Sequence, residues 1–437
     1  MLRQIKKGLN GLKIEKGHFY KGVVLHDYEI EVLRHIYLHK QLRATSLHEL
    51  YRLLSNKKIE TSNISNRLKK LLDAGVVARN EELIHDMSKN FVRYSYRLNS
   101  AGLEVLVFLN IIRKESIKTY KTNAHINKFP NLHSKVASTI TNKIVMDLIK
   151  QEITFDFCRG NNHYLLGNDS YTRKTETTGF IIPDYVIETR DTIVPIEIDT
   201  GTQRAHIIKQ KIEKYIVQAR SKEFNLRNIH VVFIVVDNSI SDTFETNRNR
   251  RVYSLKATFL SGFDLPGNLH FYAVNALHSI PLISYILNPK NNLEEIEKDF
   301  ICEDFMELYN ERYKQHFIQV EKPAVAKDLF HAVYTYEVNT IKYDVYLIYR
   351  VVGNLRDYQK SESALSYLSK RLERNKRFIL LYVYDNATSA LADVTTATDA
   401  SITIAASYLP TEDNEDLVVY KHTSLLTKKA VKGVIEY

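Results

Sequence analysis

The sequence predicts an α/β (α+β) multidomain protein: a small, basic, mainly helical N-terminal domain, a central mixed-sheet core and a second α/β domain at the C-terminus. Three observations lead there. The chain has 437 residues, 44% of them hydrophobic and 26% charged, too long for one ordinary domain and apolar enough to bury several cores. Its basic excess is local: residues 1–129 hold about 24 Lys/Arg against about 12 Asp/Glu, which leaves the rest of the +10 chain close to neutral. Helical periodicity dominates residues 27–75, whereas apolar strand-like runs alternating with helices fill much of the chain beyond 130.

Composition also excludes function classes. Cys158 and Cys302 lie far apart and form no C-x-x-C knuckle, so a reducing, cytoplasmic setting is expected rather than a disulfide-stapled secreted one. No run of about 18 apolar residues and no signal-peptide core occurs. No membrane partner is therefore expected. There is no G-x-x-x-x-G-K-[ST] for a P-loop ATPase, and no His-hydrophobic-His pair for a two-histidine metal site.

Residues 1–24 read as a basic arm. From 25 to 112 the elements follow one another closely. DYEIEVLRHIYLHK (27–40) carries Ile30, Val32, Leu33, Ile36 and Tyr37 at helical spacing behind Asp27 as N-cap. SLHELYRLL (46–54) is a second helix, with Ser46 as its cap and Glu49 completing a capping box. TSNISNRLKKLLDAG (61–75) is a third, buried through Ile64, Leu68, Leu71 and Leu72 and stopped by Gly75. The alternation Val92-Tyr94-Tyr96-Leu98 marks a strand returning from a hairpin, and a helix opens at Ser100. Three helices, a basic hairpin and a closing helix make a winged helix-turn-helix. In such a fold the third helix enters the major groove, so Ser62, Asn63, Ser65, Asn66 and Arg67 would face bases, Lys69 and Lys70 phosphates, and Arg93 and Arg97 would sit on or beside the wing. A purely protein-binding winged helix is the alternative; the concentrated basic surplus favours double-stranded DNA.

Residues 113–130 are polar and basic and read as a linker. A helix follows at 131–153, and 131–288 read as one α/β domain. Within it, strands are expected at 179–188 and 192–199 around the turn Thr189-Arg190-Asp191, then a helix over about 203–222, a strand at 228–237, a helix at 243–258 and a strand at 269–274. The first two strands are apolar enough to be central, which makes their acids conspicuous: Asp184 in the middle of one, Glu197 and Asp199 on one face at the end of the next. Carboxylates buried together either take up protons or need a cation, and Mg²⁺ or Mn²⁺ suits such oxygen donors.

Pro183-Asp184, Glu197-Ile198-Asp199 and a helix bearing Lys209, Lys211 and Tyr215 resemble the PD-(D/E)xK nuclease superfamily. The segment is more similar still to the replication-relaxation family of plasmid and mobile-element proteins, to which the MobC-type conjugative relaxases look related. There a winged helix precedes P-D, E-x-D-x-G-T and K-x-x-x-Y, present here as Glu197-Ile198-Asp199-Thr200-Gly201-Thr202 and Lys211-Ile212-Glu213-Lys214-Tyr215. His133 stands on the helix where that family has a histidine. The resemblance covers roughly residues 25–275 and implies a restriction-endonuclease-like core for 131–288. It also implies metal-dependent cleavage of phosphodiesters, with Asp184 and Glu197 holding the ion. Asp199 replaces the superfamily's lysine, so it would serve as a further metal ligand or Lys209 or Lys211 would take that lysine's role. The expected function is a Mg²⁺/Mn²⁺-dependent nickase or relaxase-like endonuclease on plasmid or origin DNA. The alternative is a replication accessory protein or transcriptional regulator that binds DNA through an inert core. Under either, Arg204 and Lys214 would help track a phosphate backbone.

Residues 289–323 read as an acidic helical connector. Beyond it, 324–437 offer a hairpin turning at Val338-Asn339-Thr340, a helix at 361–375, and the strands RFILLYVYDN and SITIAASYL. This order echoes 179–237, so the segment reads as a degenerate copy of the same core, inactive because Leu347-Ile348-Tyr349-Arg350 stands where the acids were, or as a dimerisation domain. Tyr334, Tyr336, Tyr343, Tyr346 and Tyr349 are packing residues or, less simply, a stacking platform for single strands.

Overall fold

The computed structural model describes residues 5–8, 11–14, 22–56, 58–85, 90–118, 120, 132–160, 181–221, 226–238, 248–259, 262–288, 293–338, 340–371, 376–394, 402–410, 417–424 and 427–431. The chain divides into two compact units, Met1–His163 with Asp184–Ile187, and Tyr164–Pro183 with Glu188–Tyr437. Among the described residues no helix is long and apolar enough to cross a membrane.

In the first unit the expected arm contains strands. β1 (Ile5–Gly8) and β2 (Gly11–Ile14) form an antiparallel hairpin, and β2 pairs with β3 (Val23–Leu25). Helix α1 (Asp27–His39) starts one residue earlier than read, because His26 is the N-cap and the Glu29 carboxylate reaches back to its N–H at 3.0 Å. After β4 (Leu42–Arg43), α2 (Ala44–Ser55) has Arg43 as N-cap. Ser46, expected to cap it, is instead a buried residue of its first turn. Helix α3 (Thr61–Asp73) ends as its glycine foretells: Gly75 has φ +68°, and the Gly75 and Val76 N–H groups return to the Leu72 and Leu71 carbonyls.

Strands β5 (Val77–His85) and β6 (Asn90–Leu98) form the expected hairpin, in a sheet ordered β4-β6-β5. Helix α4 (Ser100–Phe108) opens behind Asn99, whose side chain accepts the Ser100 N–H. Gly102 is required there, since a Cβ would collide with the Val76 carbonyl. One core joins these parts: Leu33 and Ile36 from α1, Leu47 and Leu50 from α2, Leu68 and Leu71 from α3, Leu103 and Leu106 from α4. Tyr120, within the expected linker, is buried in it. Its hydroxyl accepts the Leu98 N–H at 3.1 Å and donates to the Lys40 carbonyl at 2.9 Å. The unit also takes in α5 (Leu132–Lys150), β7 (Asp156–Arg159) and most of β8 (Tyr185–Glu188). Because β8 begins at Tyr185, Asp184 sits on the bend before a four-residue strand rather than in the middle of a long one. Residues 179 and 180 of the expected strand lie outside the described residues.

In the second unit β9 (Thr192–Asp199), buried along its whole length, runs parallel to β10 (Asn228–Val235), and β10 parallel to β11 (Leu269–Asn275). The connections are α6 (Ala205–Ala219) and α7 (Asn249–Phe259). The expected helix start at 243–247 falls outside the described residues, and α6 ends at Ala219 with Arg220 as C-cap, three residues before the expected 222. Helix α8 (Ala276–Leu287), which follows directly with Asn275 as cap, was not foreseen. The acidic connector is α9 (Glu295–Tyr313).

The C-terminal sheet has the order β12-β13-β14-β15-β16-β17-β18. Its strands are β12 (Ile318–Gln319), β13 (Ala332–Val338), β14 (Ile341–Tyr349), β15 (Lys376–Tyr384), β16 (Ile402–Tyr408), β17 (Val419–Ser424) and β18 (Thr427–Val431). Strand β14 pairs antiparallel with β13 and parallel with β15, which pairs parallel with β16. The order strand, helix, parallel strand is thus the same as in β9, α6 and β10.

Helix α10 (Leu355–Ser369) begins six residues before the expected 361. Gly353 at φ +74° makes the turn, and the Asn354 side chain accepts the Arg356 and Asp357 N–H groups. The short α11 (Ala387–Ala392) follows β15. Tyr334, Tyr343 and Tyr349 are buried in the core on one face of the sheet and Tyr346 in the other, with Tyr336 packed beside the first. These tyrosines pack in or against the two cores of the sheet.

Candidate functional site

In the first unit the solvent face of α3 exposes Ser62, Asn63, Ser65, Asn66, Lys69 and Lys70, while Ile64, Leu68 and Leu71 are buried. The 3.6-residue period makes that separation automatic. Ser65 Oγ lies 3.4 Å from His48 Nε2 on α2. Arg67 departs from its neighbours. Its Nε donates to Glu29 Oε1 at 2.5 Å and its Nη2 to Glu29 Oε2 at 2.6 Å, and Nη2 also donates to the Val24 carbonyl. Glu29 is fully buried and Arg67 is only 22% exposed. The guanidinium that was expected to face bases is therefore committed to a buried carboxylate, because Glu29 has no solvent to turn to. Replacing Arg67 by alanine should lower stability by about 2–3 kcal/mol, read as a lower urea midpoint with the slope preserved. An unchanged midpoint would contradict this role.

Arg93 and Arg97 lie on β6 and are half-buried. Asp184 Oδ1 accepts from His133 Nε2 at 2.8 Å, so the histidine helix and the aspartate of the P-D motif do meet. Both side chains are partly exposed, His133 at 34% and Asp184 at 24%.

The remaining acids belong to the second unit. Glu197 is buried on β9, opposite Phe233 of β10. Its Oε2 receives Lys211 Nζ at 2.6 Å and its Oε1 the Tyr215 hydroxyl at 2.9 Å. Lys211 and Tyr215 are four residues apart on α6, so one helical face delivers both, while Ile208 and Ile212 pack beside them. Asp199 is also buried and also spoken for: Oδ1 accepts the Gly201 N–H at 2.7 Å and Oδ2 accepts Arg251 Nε at 2.7 Å. Arg251 goes on to the Gln203 carbonyl at 2.7 Å, which ties the start of α6 to the strand end. Gly201 turns at φ +83°, and a Cβ there would strike the Arg248 guanidinium. The Asp-x-Gly-Thr part of the motif is thereby a structural turn. Lys209 and Lys214 are half-buried on α6 and Arg204 is its exposed N-cap.

Sequence reasoning missed Arg251 because it lies 52 residues from Asp199. The basic run Arg248-Asn249-Arg250-Arg251 at the start of α7 was its only signal. The donor set as it stands does not suit a divalent ion. Glu197 and Asp199 each spend both oxygens on hydrogen-bond donors, one of them cationic in each case. Among the described residues no group of three His, Cys, Asp or Glu side chains could hold a metal.

No curated protein and no solved structure matches the chain. A family model does, over a stretch that begins in α1 and ends in β10 and so includes the exposed face of α3, the His133–Asp184 pair and the Glu197–Lys211–Tyr215 cluster. The match is to the replication-relaxation family model, and it spans residues 33–232 of the chain.

Proposed function

We propose that the protein binds double-stranded DNA through a winged helix formed by α1 to α4 and the β5–β6 hairpin, in the service of plasmid or mobile-element replication. The family supports the replication theme. The observation that carries DNA binding is the outer face of α3, where short hydrogen-bonding side chains and two lysines are exposed over a helix firmly buried on its other side. Asn63 and Asn66 suit base edges and Lys69 and Lys70 suit phosphates. Fluorescence anisotropy with duplexes over a range of salt tests this. Lys69→Ala with Lys70→Ala should weaken every duplex and flatten the salt dependence by about 0.9 per lost phosphate contact. Asn63→Ala or Asn66→Ala should cost about 1–3 kcal/mol on the preferred sequence alone. Equal affinity of wild type and all variants would sink the reading.

A second reading, metal-dependent nicking by a PD-(D/E)xK-type core, draws on one distance: Lys211 Nζ stands 2.6 Å from Glu197, supplying from the helix the lysine that Asp199 displaced from the strand. It requires Glu197 to exchange Lys211 and Tyr215 for Mg²⁺ or Mn²⁺. Supercoiled plasmid left intact with either ion by both wild type and Glu197→Ala would leave the DNA-binding reading with an inert core. The C-terminal sheet, as a second copy of the strand–helix–strand order, is a scaffold or dimer contact under both readings.

A further inference from the structure

Arg67 is the only arginine of α3, and it is bound to Glu29. Arg52, which reaches the start of that helix from α2, is held as well: its Nε donates to the Ile59 carbonyl at 3.0 Å and its Nη2 to Thr61 Oγ1 at 2.5 Å. On the hairpin, Arg79 donates to Glu81 at 2.6 Å and lies over the Tyr94 ring. These three guanidinium groups are taken up within the protein. The outer face of α3 keeps amides, hydroxyls and two amines. Asn66 stands at its centre, since its neighbours at three and four residues are Ser62, Asn63, Lys69 and Lys70, all exposed. Among the described residues the side chains of these five make no hydrogen bond and no ion pair.

Base chemistry distinguishes what such a face can read. In the major groove guanine presents two acceptors, N7 and O6, and calls for the donor fork of an arginine or for a lysine. Adenine presents the acceptor N7 beside the donor N6, which the carboxamide of asparagine, with one donor and one acceptor side, matches. The N-terminal half of a recognition helix meets base edges, which places Asn63 and Asn66 over bases and Lys69 and Lys70 over the backbone. About 4.5 Å of helix rise separates the two asparagines, little more than the ~3.4 Å between base pairs, so neighbouring pairs come within reach of both. We infer that α3 reads adenine: Asn66, with Asn63 one turn before it, selects A·T pairs at two neighbouring positions, and the capture of Arg67 by Glu29 leaves the base-facing half of the helix without a guanine reader. This preference rests on the DNA-binding reading and adds to it the class of sequence bound.

The test starts from a pool of random-sequence duplexes passed over the full chain. The retained duplexes should share A·T at two neighbouring positions. Inosine·cytosine then separates the grooves, because that pair shows guanine's acceptors in the major groove and, lacking the N2 amine, the pattern of A·T in the minor groove. Replacing either A·T by inosine·cytosine should weaken wild type by about tenfold, as G·C does. Asn66→Ala should lose that discrimination at one position and Asn63→Ala at the other, each with an unchanged urea midpoint because both side chains are exposed. Lys69→Ala with Lys70→Ala should bind every duplex more weakly and keep the discrimination. G·C at the asparagine-dependent positions, inosine·cytosine bound as tightly as A·T, or discrimination that survives in both asparagine variants would overturn the inference while leaving DNA binding in place. A wild type that retains no duplex would remove the DNA-binding reading itself, and the adenine preference with it.

Discussion

Asp393→Ala should lower the unfolding free energy by about 3–5 kcal/mol, among the largest single-residue losses available in this protein. The carboxylate follows α11 and is 1% exposed. Its Oδ1 takes Lys256 Nζ at 2.5 Å and its Oδ2 pairs with Arg350 Nη2 at 2.7 Å, and both cations are fully buried. Tyr384 Oη donates to Oδ2 at 2.8 Å and the Gly353 N–H to Oδ1 at 3.1 Å. Burial already pushes the Lys256 amine down, and Asp393 is the main force opposing that shift. Without it two cations remain in a water-free core and Lys256 sheds its proton. Asp393→Asn should lose nearly as much, because charge rather than shape holds the cluster. Urea unfolding reads this directly, and a midpoint within error of wild type for both variants would refute it.

Mild acid should be nearly as damaging. Burial, with Arg34 nearby, lowers His35 to about 3, and burial with His270 and Arg356 lowers His230 to about 3. Burial with Arg356 and Lys298 lowers His270 to about 4, and burial with His35 and Arg159 holds His39 well below its usual range. In the unfolded chain each of these takes up a proton below about 6.5, while in the folded chain each stays neutral until far lower. Their stabilising share is therefore complete above about pH 6.5 and is lost as pH falls toward 3–4, by about 1.4 kcal/mol per pH unit for each histidine. Asp357 and Asp385, raised by burial, act in the opposite sense. A single substitution isolates one term: His230→Gln should shallow the decline between pH 6 and 4 by that slope. Stability that stays flat from pH 7 to 5 in wild type would contradict the account.

Both effects come from residues that no local pattern marks. Lys256 and Asp393 are 137 positions apart, and a buried lysine looks in sequence like any other on a basic helix. The Glu197–Lys211–Tyr215 cluster was far more legible. Alternation along β9 gave the face of Glu197, and the i,i+4 spacing on α6 put Lys211 and Tyr215 on one stripe, so the choice between Lys209 and Lys211 and the docking of helix on strand remained open. His133–Asp184 was legible as two motif residues but not as a contact. Helix starts were read less well, at Ser46 and at 361, because the residues that set them, the short strand β4 that ends at Arg43 and the positive-φ Gly353, depend on neighbouring strands.

The sequence alone determined the order of α1 to α4 with their hairpin, the succession β9, α6, β10, α7, β11, the resemblance to the replication-relaxation family, the basic N-terminal third and the outer face of α3, since these follow from short-range periodicity, motifs and composition. Only the tertiary structure decided what neutralises each charge. It gave Arg67 to Glu29, Asp199 to Arg251, and Lys256 and Arg350 to Asp393. The reason is physical: a buried charge must find an opposite partner wherever the fold brings one, and that choice is made across the packed elements, beyond the reach of any window along the chain.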